Sequence, residues 1–127
     1  MAQIRKYQTS FKAILAVDFD HTICMSDWPN LGMQRKESSK YINLLIKEGY
    51  GVVINTCREG VPLADAINWL NHNGINYHYI NCNFPHLIEQ YGADCRKISA
   101  DIYIDDKCLT GLPEWKEIYK IVKDKFS

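Results

Sequence analysis

The chain has 127 residues, of which 46% are hydrophobic and 24% are charged, and this is the size and composition of one globular domain. Its 15 basic and 15 acidic side chains give no net charge, so the basic surplus typical of nucleic-acid-binding proteins is missing. The sequence therefore predicts a single domain over residues 1–127, with a core over about 11–126, and it indicates no nucleic-acid partner.

The cysteines and the N-terminal segment bear on the compartment. Five cysteines form an odd set without a C-x-x-C pair, which predicts reduced thiols and neither disulfides nor a zinc site. Met1 to Ser10 has no apolar stretch and does not resemble a signal peptide. The apolar run Ala13 to Val17 is too short to span a bilayer. We therefore expect a soluble, cytoplasmic protein without a membrane partner.

The first half of the chain predicts two strands and a helix. Ala13 to Phe19 is a continuous apolar run that ends in acid, which is typical of a strand buried on both faces. Cys24 to Glu37 contains Pro and Gly and predicts a loop. Ser38 to Glu48 has apolar residues at helical spacing, and Tyr50 to Asn55 predicts a second buried strand.

The second half continues the alternation of helices and strands. A helix begins at Pro62 and ends near Gly74, and Ile75 to Ile80 predicts a third strand. The last three predicted elements are a helix over Phe84 to Tyr91, a strand over Ile102 to Ile104 and a helix over Glu114 to Phe126. This order predicts an α/β fold, a Rossmann-like three-layer α/β/α arrangement with a mainly parallel central sheet. In such sheets ligands bind beyond the carboxyl ends of the strands.

Charged and polar side chains follow three of the predicted strands where each one ends. They are Asp18 and Asp20 after the first strand, Thr56 and Arg58 after the second, and Lys97, Asp105 and Asp106 beside the fourth. Clustered carboxylates repel one another unless a hard divalent cation neutralises them, and an all-oxygen ligand set suits Mg²⁺. A lysine and a bound metal can together hold a phosphoryl group. The sequence therefore predicts a metal-and-phosphate site.

Four of these segments resemble, in order, the motifs of the haloacid-dehalogenase-like (HAD) phosphohydrolases. Asp18 to Ile23 resembles the first motif, an apolar strand followed by Asp-x-Asp-x-Thr, and Gly51 to Thr56 resembles the second. Lys97 resembles the lysine of the third motif, and Asp101 to Asp106 resembles the fourth, an apolar strand that ends in paired acids. The ordered set is more specific than any single motif.

The resemblance implies a Mg²⁺-dependent phosphatase that hydrolyses a phosphate monoester through an aspartyl-phosphate. It makes Asp18 the nucleophile and Asp20 the general acid and base, while Thr56 hydrogen-bonds the phosphoryl oxygens and Lys97 holds the phosphoryl group. The metal ligands that it implies are Asp18, Asp20 through its backbone carbonyl, Asp105 and, in support, Asp106.

Two positions depart from the family's pattern. His21 stands where Gly is common, and because His tolerates unusual backbone angles we expect altered loop geometry rather than lost activity. Lys97 lies only eight residues before Asp105, so the adjacent Arg96 is an alternative cation. The chain also leaves no room for a cap domain. It resembles a small capless member whose site is open or is covered by a neighbouring subunit, as in a homo-oligomer.

Two further residues have open interpretations. Arg58 either grips a phosphate or carboxylate of the substrate or forms a surface ion pair. Trp28, in the first long loop, either stacks on substrate or packs over the sheet edge, and the second role is favoured. The histidines His72, His78 and His86 have no metal-ligand spacing and are expected to be structural or on the surface.

Two other functions stay open at this point. A catalytically inactive HAD-like binding or scaffold protein would keep the fold without turnover. A phosphorylation-receiver domain also gathers Asp, Thr and Lys around Mg²⁺, but the Asp-x-Asp spacing and the terminal acid pair argue against it. The sequence does not name the phosphorylated substrate, which is a small molecule or the exposed end of a larger one.

Overall fold

The protein was analysed as a computed structural model, which describes residues 10–126. The elements are β1 (Ile14–Asp18), α1 (Ser38–Lys47), β2 (Gly51–Asn55), α2 (Gly60–His72), β3 (Tyr79–Ile80), α3 (Pro85–Tyr91), β4 (Ile102–Ile104) and α4 (Trp115–Phe126). The segment Met1 to Ser10, for which no signal peptide is predicted, lies outside the described residues except for Ser10. No helix within residues 10–126 is long and apolar enough to cross a membrane.

The four strands form one sheet in the order β3-β2-β1-β4, and every pair is parallel. The core cluster on one face of the sheet includes residues of α1, α2 and α4, and the cluster on the other face includes a residue of α3. This confirms the predicted three-layer α/β fold, with a sheet that is wholly rather than mainly parallel. Residues 10–126 include no cap domain.

β1 is one of the two inner strands of the sheet, and its sequence explains its position. Leu15 and Val17 belong to the core cluster on one face, while Ile14 and Ala16 belong to the cluster on the other. All four are at most 7% exposed, so each face of the strand is covered. A strand buried on both sides must be apolar throughout, and this is why a continuous apolar run rather than an alternating one predicted it.

β4 pairs with β1 through only three residues, and a side chain extends the pairing at its start. The Ile14 amide donates to Asp101 Oδ2 at 2.7 Å, while the Asp101 amide donates to the Ile14 carbonyl at 2.8 Å. The ladder then pairs Leu15 with Ile102 and Val17 with Ile104. Asp18 and Asp105, the next residues along the two strands, therefore emerge side by side at the carboxyl edge of the sheet.

Two predicted boundaries were wrong. The third strand spans Tyr79–Ile80 rather than Ile75 to Ile80, because the preceding segment bonds elsewhere: the Ile75 amide donates to the Leu70 carbonyl at the end of α2. The second helix begins at Gly60 rather than at Pro62. Proline is tolerated in the first turn of a helix, where amides have no intrahelical acceptor, so Pro62 does not have to be the first residue.

Candidate functional site

A cleft of about 450 Å³ opens at the carboxyl ends of β1 and β4. It is lined by Asp18, Asp20, His21, Trp28, Cys57, Asp105, Asp106 and Lys107. The location agrees with the expectation that ligands of a parallel α/β sheet bind beyond the carboxyl ends of its strands. Residues at the carboxyl ends of three neighbouring strands, β2, β1 and β4, thus meet in a single cavity with Trp28 from the long loop.

Three carboxylates form the densest charged group in this cleft. One oxygen from each of Asp18, Asp105 and Asp106 lies within 4.8 Å of the others, and all three side chains are half-buried. Burial, a hydrogen bond with Asp106 and the charges of Asp105 and Asp106 together raise the pKa of Asp18 to about 7. The three acids therefore repel one another. A group of oxygen donors whose negative charges repel one another fits a hard divalent cation such as Mg²⁺, which would neutralise them.

Thr22 links Asp18 to the segment that carries Asp105 and Asp106. Its hydroxyl donates to Asp18 Oδ2 at 3.2 Å and accepts the Asp106 amide at 3.0 Å. Its carbonyl accepts the indole N–H of Trp115 at 2.9 Å, and the residue is fully buried. Sequence reasoning placed Thr22 in a motif but gave it no role. Its position shows that it fixes Asp18 relative to the chain that follows β4.

The prediction that Arg58 contacts the substrate is wrong. Its side chain is fully buried, and its Nε and Nη2 atoms donate to both carboxylate oxygens of Asp20 at 2.6–3.2 Å. Its Nη1 atom donates to the carbonyls of Pro29 and Pro62 at 3.3 and 3.2 Å. The guanidinium is thus committed to protein acceptors, so Arg58 neither grips a substrate nor forms a surface ion pair. It is a buried positioning residue for Asp20.

This ion pair also sets the charge of Asp20. Burial raises the pKa of the Asp20 carboxyl, but hydrogen bonds from Arg58 and Ser26 and the charge of Arg58 outweigh that effect. The pKa of Asp20 consequently lies below its usual range, and the carboxylate form is favoured. Asp20 is therefore held as an anion, oriented by two guanidinium nitrogens, at the rim of the cleft.

Trp28 lines the cleft with one face against the Arg58 guanidinium, whose central carbon lies 4.7 Å from its ring centroid, so packing over the sheet edge and stacking on substrate both stay predictions. Trp28 is 60% exposed. Asp27 and Asn30 exchange two backbone hydrogen bonds of 3.0 and 2.7 Å around it. The same loop is anchored at Gly32, whose carbonyl accepts the Trp69 indole N–H at 2.9 Å. A side chain at Gly32 would meet the Met25 carbonyl oxygen at 2.0 Å, so the loop packs too closely for any other residue.

The structure places the two other predicted phosphate contacts outside the lining of the cleft. The Thr56 hydroxyl accepts the Arg58 amide at 3.2 Å, and the Thr56 amide donates to Asn81 Oδ1 at 2.8 Å. Lys97 is exposed, and its ammonium lies 5.1 Å from the centroid of the Tyr103 ring. Neither residue's role in phosphate binding is tested by this arrangement, so both stay predictions.

Lys107 is a cation of the cleft to which sequence reasoning gave no role of its own. It follows the acid pair directly and lines the cavity, and its amide donates to Asp105 Oδ1 at 2.9 Å. The signal in the sequence is its adjacency to Asp105 and Asp106. His21 also lines the cleft, with φ at +65°, a left-handed conformation that His adopts more readily than most residues.

Comparison with known proteins places this geometry in a family. No family model matches the chain, and neither does any curated protein. A solved structure, described as a conserved protein from Bacteroides thetaiotaomicron, is 32% identical, with a TM-score of 0.80 over 91% of this chain and 93% of that one. The chain belongs to the same family as this Bacteroides protein. No activity is named for that relative, so the similarity supports the three-layer fold of this chain and no function.

The charge balance of the cleft limits what can enter it. Four of the lining residues are aspartates, and the lysine among them is Lys107. A phosphate dianion would be repelled by such a cavity, whereas a divalent cation would be attracted. The site is therefore suited to bind a metal first and an anion afterwards.

Proposed function

We propose that this protein is a Mg²⁺-dependent phosphate monoester hydrolase that forms an aspartyl-phosphate on Asp18. The observation that carries the proposal is the cluster of Asp18, Asp105 and Asp106, whose oxygens lie within 4.8 Å of one another at the carboxyl edge of a parallel sheet. The ordered resemblance to HAD motifs supports it. The proposed setting is a soluble, cytoplasmic enzyme.

The proposed first step is an attack by a carboxylate oxygen of Asp18 on the substrate phosphorus. The bond between phosphorus and the alcohol oxygen breaks, and the protonated form of Asp20 gives its proton to that oxygen. The alcohol leaves, the phosphoryl group stays on Asp18, and Asp20 enters the second step as an anion. Bound Mg²⁺ would neutralise the carboxylates and polarise the phosphoryl oxygens. Thr22 holds the attacking side chain by its hydrogen bond to Asp18 Oδ2.

The proposed second step is hydrolysis of the aspartyl-phosphate. Asp20, kept anionic by Arg58, takes a proton from water, and the resulting hydroxide attacks phosphorus while the bond to Asp18 breaks. Inorganic phosphate leaves, and the carboxylate of Asp18 is restored. In this scheme Thr56, Lys97 and Lys107 are the candidates to stabilise the phosphoryl oxygens. The anionic form of Asp20 matches its role as a base better than its role as an acid.

The test compares turnover of an aryl phosphate by wild type, Asp18→Asn and Asp124→Asn, with and without Mg²⁺. Asp124 is an exposed residue of α4 and serves as the matched control for loss of an aspartate. We expect activity that requires Mg²⁺, complete loss in Asp18→Asn, and no effect in Asp124→Asn. Full activity of Asp18→Asn, or of wild type after exhaustive chelation, would refute the proposal.

A second candidate function is a metal-binding protein without turnover. The observation that favours it is the ion pair of Asp20 with the buried Arg58, since a carboxylate committed to a guanidinium is less free to transfer protons. Binding of Mg²⁺ by calorimetry, without hydrolysis of any aryl or alkyl phosphate, would select this function. Trapping of labelled phosphate on Asp18 would reject it.

A further inference from the structure

The cleft contains a large exposed aromatic surface that the proposed chemistry does not use. Trp28 is 60% exposed, whereas Trp115 is 1% exposed and Trp69 is half-buried. Trp28 lines the same cavity as Asp18 and Lys107. The exposed indole therefore lies beside the carboxylate cluster, where a ligand in the cleft can reach it.

The inner face of the Trp28 ring packs on Arg58, which in turn packs on Phe19. The Arg58 guanidinium carbon lies 4.7 Å from the centroid of the Trp28 ring and 5.3 Å from that of Phe19. Phe19 and Arg58 are fully buried, and Arg58 is tied to Asp20 by hydrogen bonds as short as 2.6 Å. We call this arrangement the Phe19–Arg58–Trp28 stack. It holds the indole in place before any ligand binds, which lowers the entropy that binding costs.

The stack also determines which ligand suits the outer face of the indole. The Arg58 guanidinium covers the inner face of the Trp28 ring, so the outer face is the one that a ligand can reach. A planar π system can stack on a flat aromatic face of this kind. The cleft, at about 450 Å³, also has room for more than a phosphate group.

We propose that the outer face of Trp28 is a stacking platform for an aromatic ring in the leaving group of the substrate. The substrate class is then a phosphate monoester whose alcohol carries a planar ring, as a nucleotide does, with the phosphate at Asp18 and the ring on Trp28. This inference rests on the proposed function for the position of the phosphate, but the platform itself can be tested by binding alone.

The test measures the binding of adenosine monophosphate and ribose phosphate, both phosphorylated on the primary hydroxyl, to Asp18→Asn protein with Mg²⁺. The two ligands differ at C1 of the ribose, which carries adenine in one and a hydroxyl group in the other. Stacking of one base on an aromatic side chain predicts about 5- to 100-fold tighter binding of adenosine monophosphate. Adding Trp28→Ala should abolish this preference, Trp28→Phe should keep most of it, and Tyr91→Ala should keep all of it. Tyr91 is a 54% exposed aromatic of α3 that does not line the cleft.

The outcomes separate this inference from the proposed function. Equal affinity for the two ligands before Trp28 is changed, or a preference that survives Trp28→Ala, overturns the platform. Equal weakening of both ligands by Trp28→Ala places the sugar on the indole and overturns the assignment of a planar ring. A base preference in Asp18→Asn, together with a wild-type protein that hydrolyses no phosphate ester, supports the platform and refutes the hydrolase. Turnover by the wild type without a base preference supports the hydrolase and refutes the platform.

Discussion

Replacing Asp18 with Asn is expected to stabilise the metal-free protein, although it removes the proposed nucleophile. Asn keeps the acceptor for Thr22 and adds an amide that can donate to Asp106, while the repulsion from Asp105 and Asp106 disappears. The pKa of Asp18 rises from 3.8 to about 7 on folding. A difference of that size corresponds to at most ~4 kcal/mol, and since the side chain is only half-buried, solvent screening reduces the expected gain to about 2 kcal/mol.

The raised pKa of Asp18 also predicts the direction in which the free energy of unfolding changes with pH. Between pH 4 and 7 the folded protein keeps a proton on Asp18 that the unfolded chain has released, so the free energy of unfolding falls as the pH rises through this window. Below about pH 4 both states are protonated and the penalty disappears. The pKa of Asp20 is lowered, so the free energy of unfolding that its ionised form contributes is lost only at lower pH. In Asp18→Asn the decline between pH 4 and 7 should be absent.

The assay is urea unfolding of wild type, Asp18→Asn and Asp124→Asn, with a chelator present, at pH 4.5 and pH 8. We expect Asp18→Asn to exceed wild type at pH 8 and the gap to shrink towards pH 4.5, with Asp124→Asn following wild type. Millimolar Mg²⁺ should raise the stability of wild type more than that of Asp18→Asn, because a ligand stabilises the state that binds it. A gap that does not change with pH, or a less stable Asp18→Asn at pH 8, would refute the electrostatic argument.

Two further predictions concern the cations near the site. Arg58→Met should lower the free energy of unfolding by about 3–5 kcal/mol in urea denaturation, because it leaves the Asp20 carboxylate without its buried partner; a change below about 1 kcal/mol would contradict this account. Lys97→Ala should lower turnover by about 10²–10³-fold and Arg96→Ala should lower it much less, if Lys97 stabilises the phosphoryl group. Small effects from both, with a large loss in Lys107→Ala, would assign that role to Lys107.

The strands of the core could be predicted from the sequence because their burial leaves a direct signature. The run from Ala13 to Phe19 contains β1 with one extra residue at each end, and Ile102 to Ile104 coincides with β4. The third strand could not be predicted as well. His78 Nδ1 accepts the amide of Val52, so a side chain rather than the backbone ladder makes this contact, and no hydrophobic pattern indicates such a substitution.

The site was predictable where its residues directly follow a strand. Asp18, Asp105 and Asp106 were expected at one edge of the sheet, and the structure brings them together. Arg58 was not predictable, because an arginine that is fully buried between two aromatic rings looks the same in sequence as one that faces a ligand. Burial of a charge depends on partners from distant parts of the chain, and hydrophobic periodicity carries no information about them.

The hydrogen bonds between Asp101 and Ile14 have a consequence at the opposite end of the sheet. A three-residue strand at the edge of a sheet has few ladder bonds to oppose sliding, and a slip of one residue would turn the side chain after β4 to the other face. The Asp101 carboxylate prevents this by accepting the Ile14 amide, which ties the alignment of β4 to the first residue of β1. An exposed aspartate at the amino end of the strands thus determines whether Asp105 can meet Asp18.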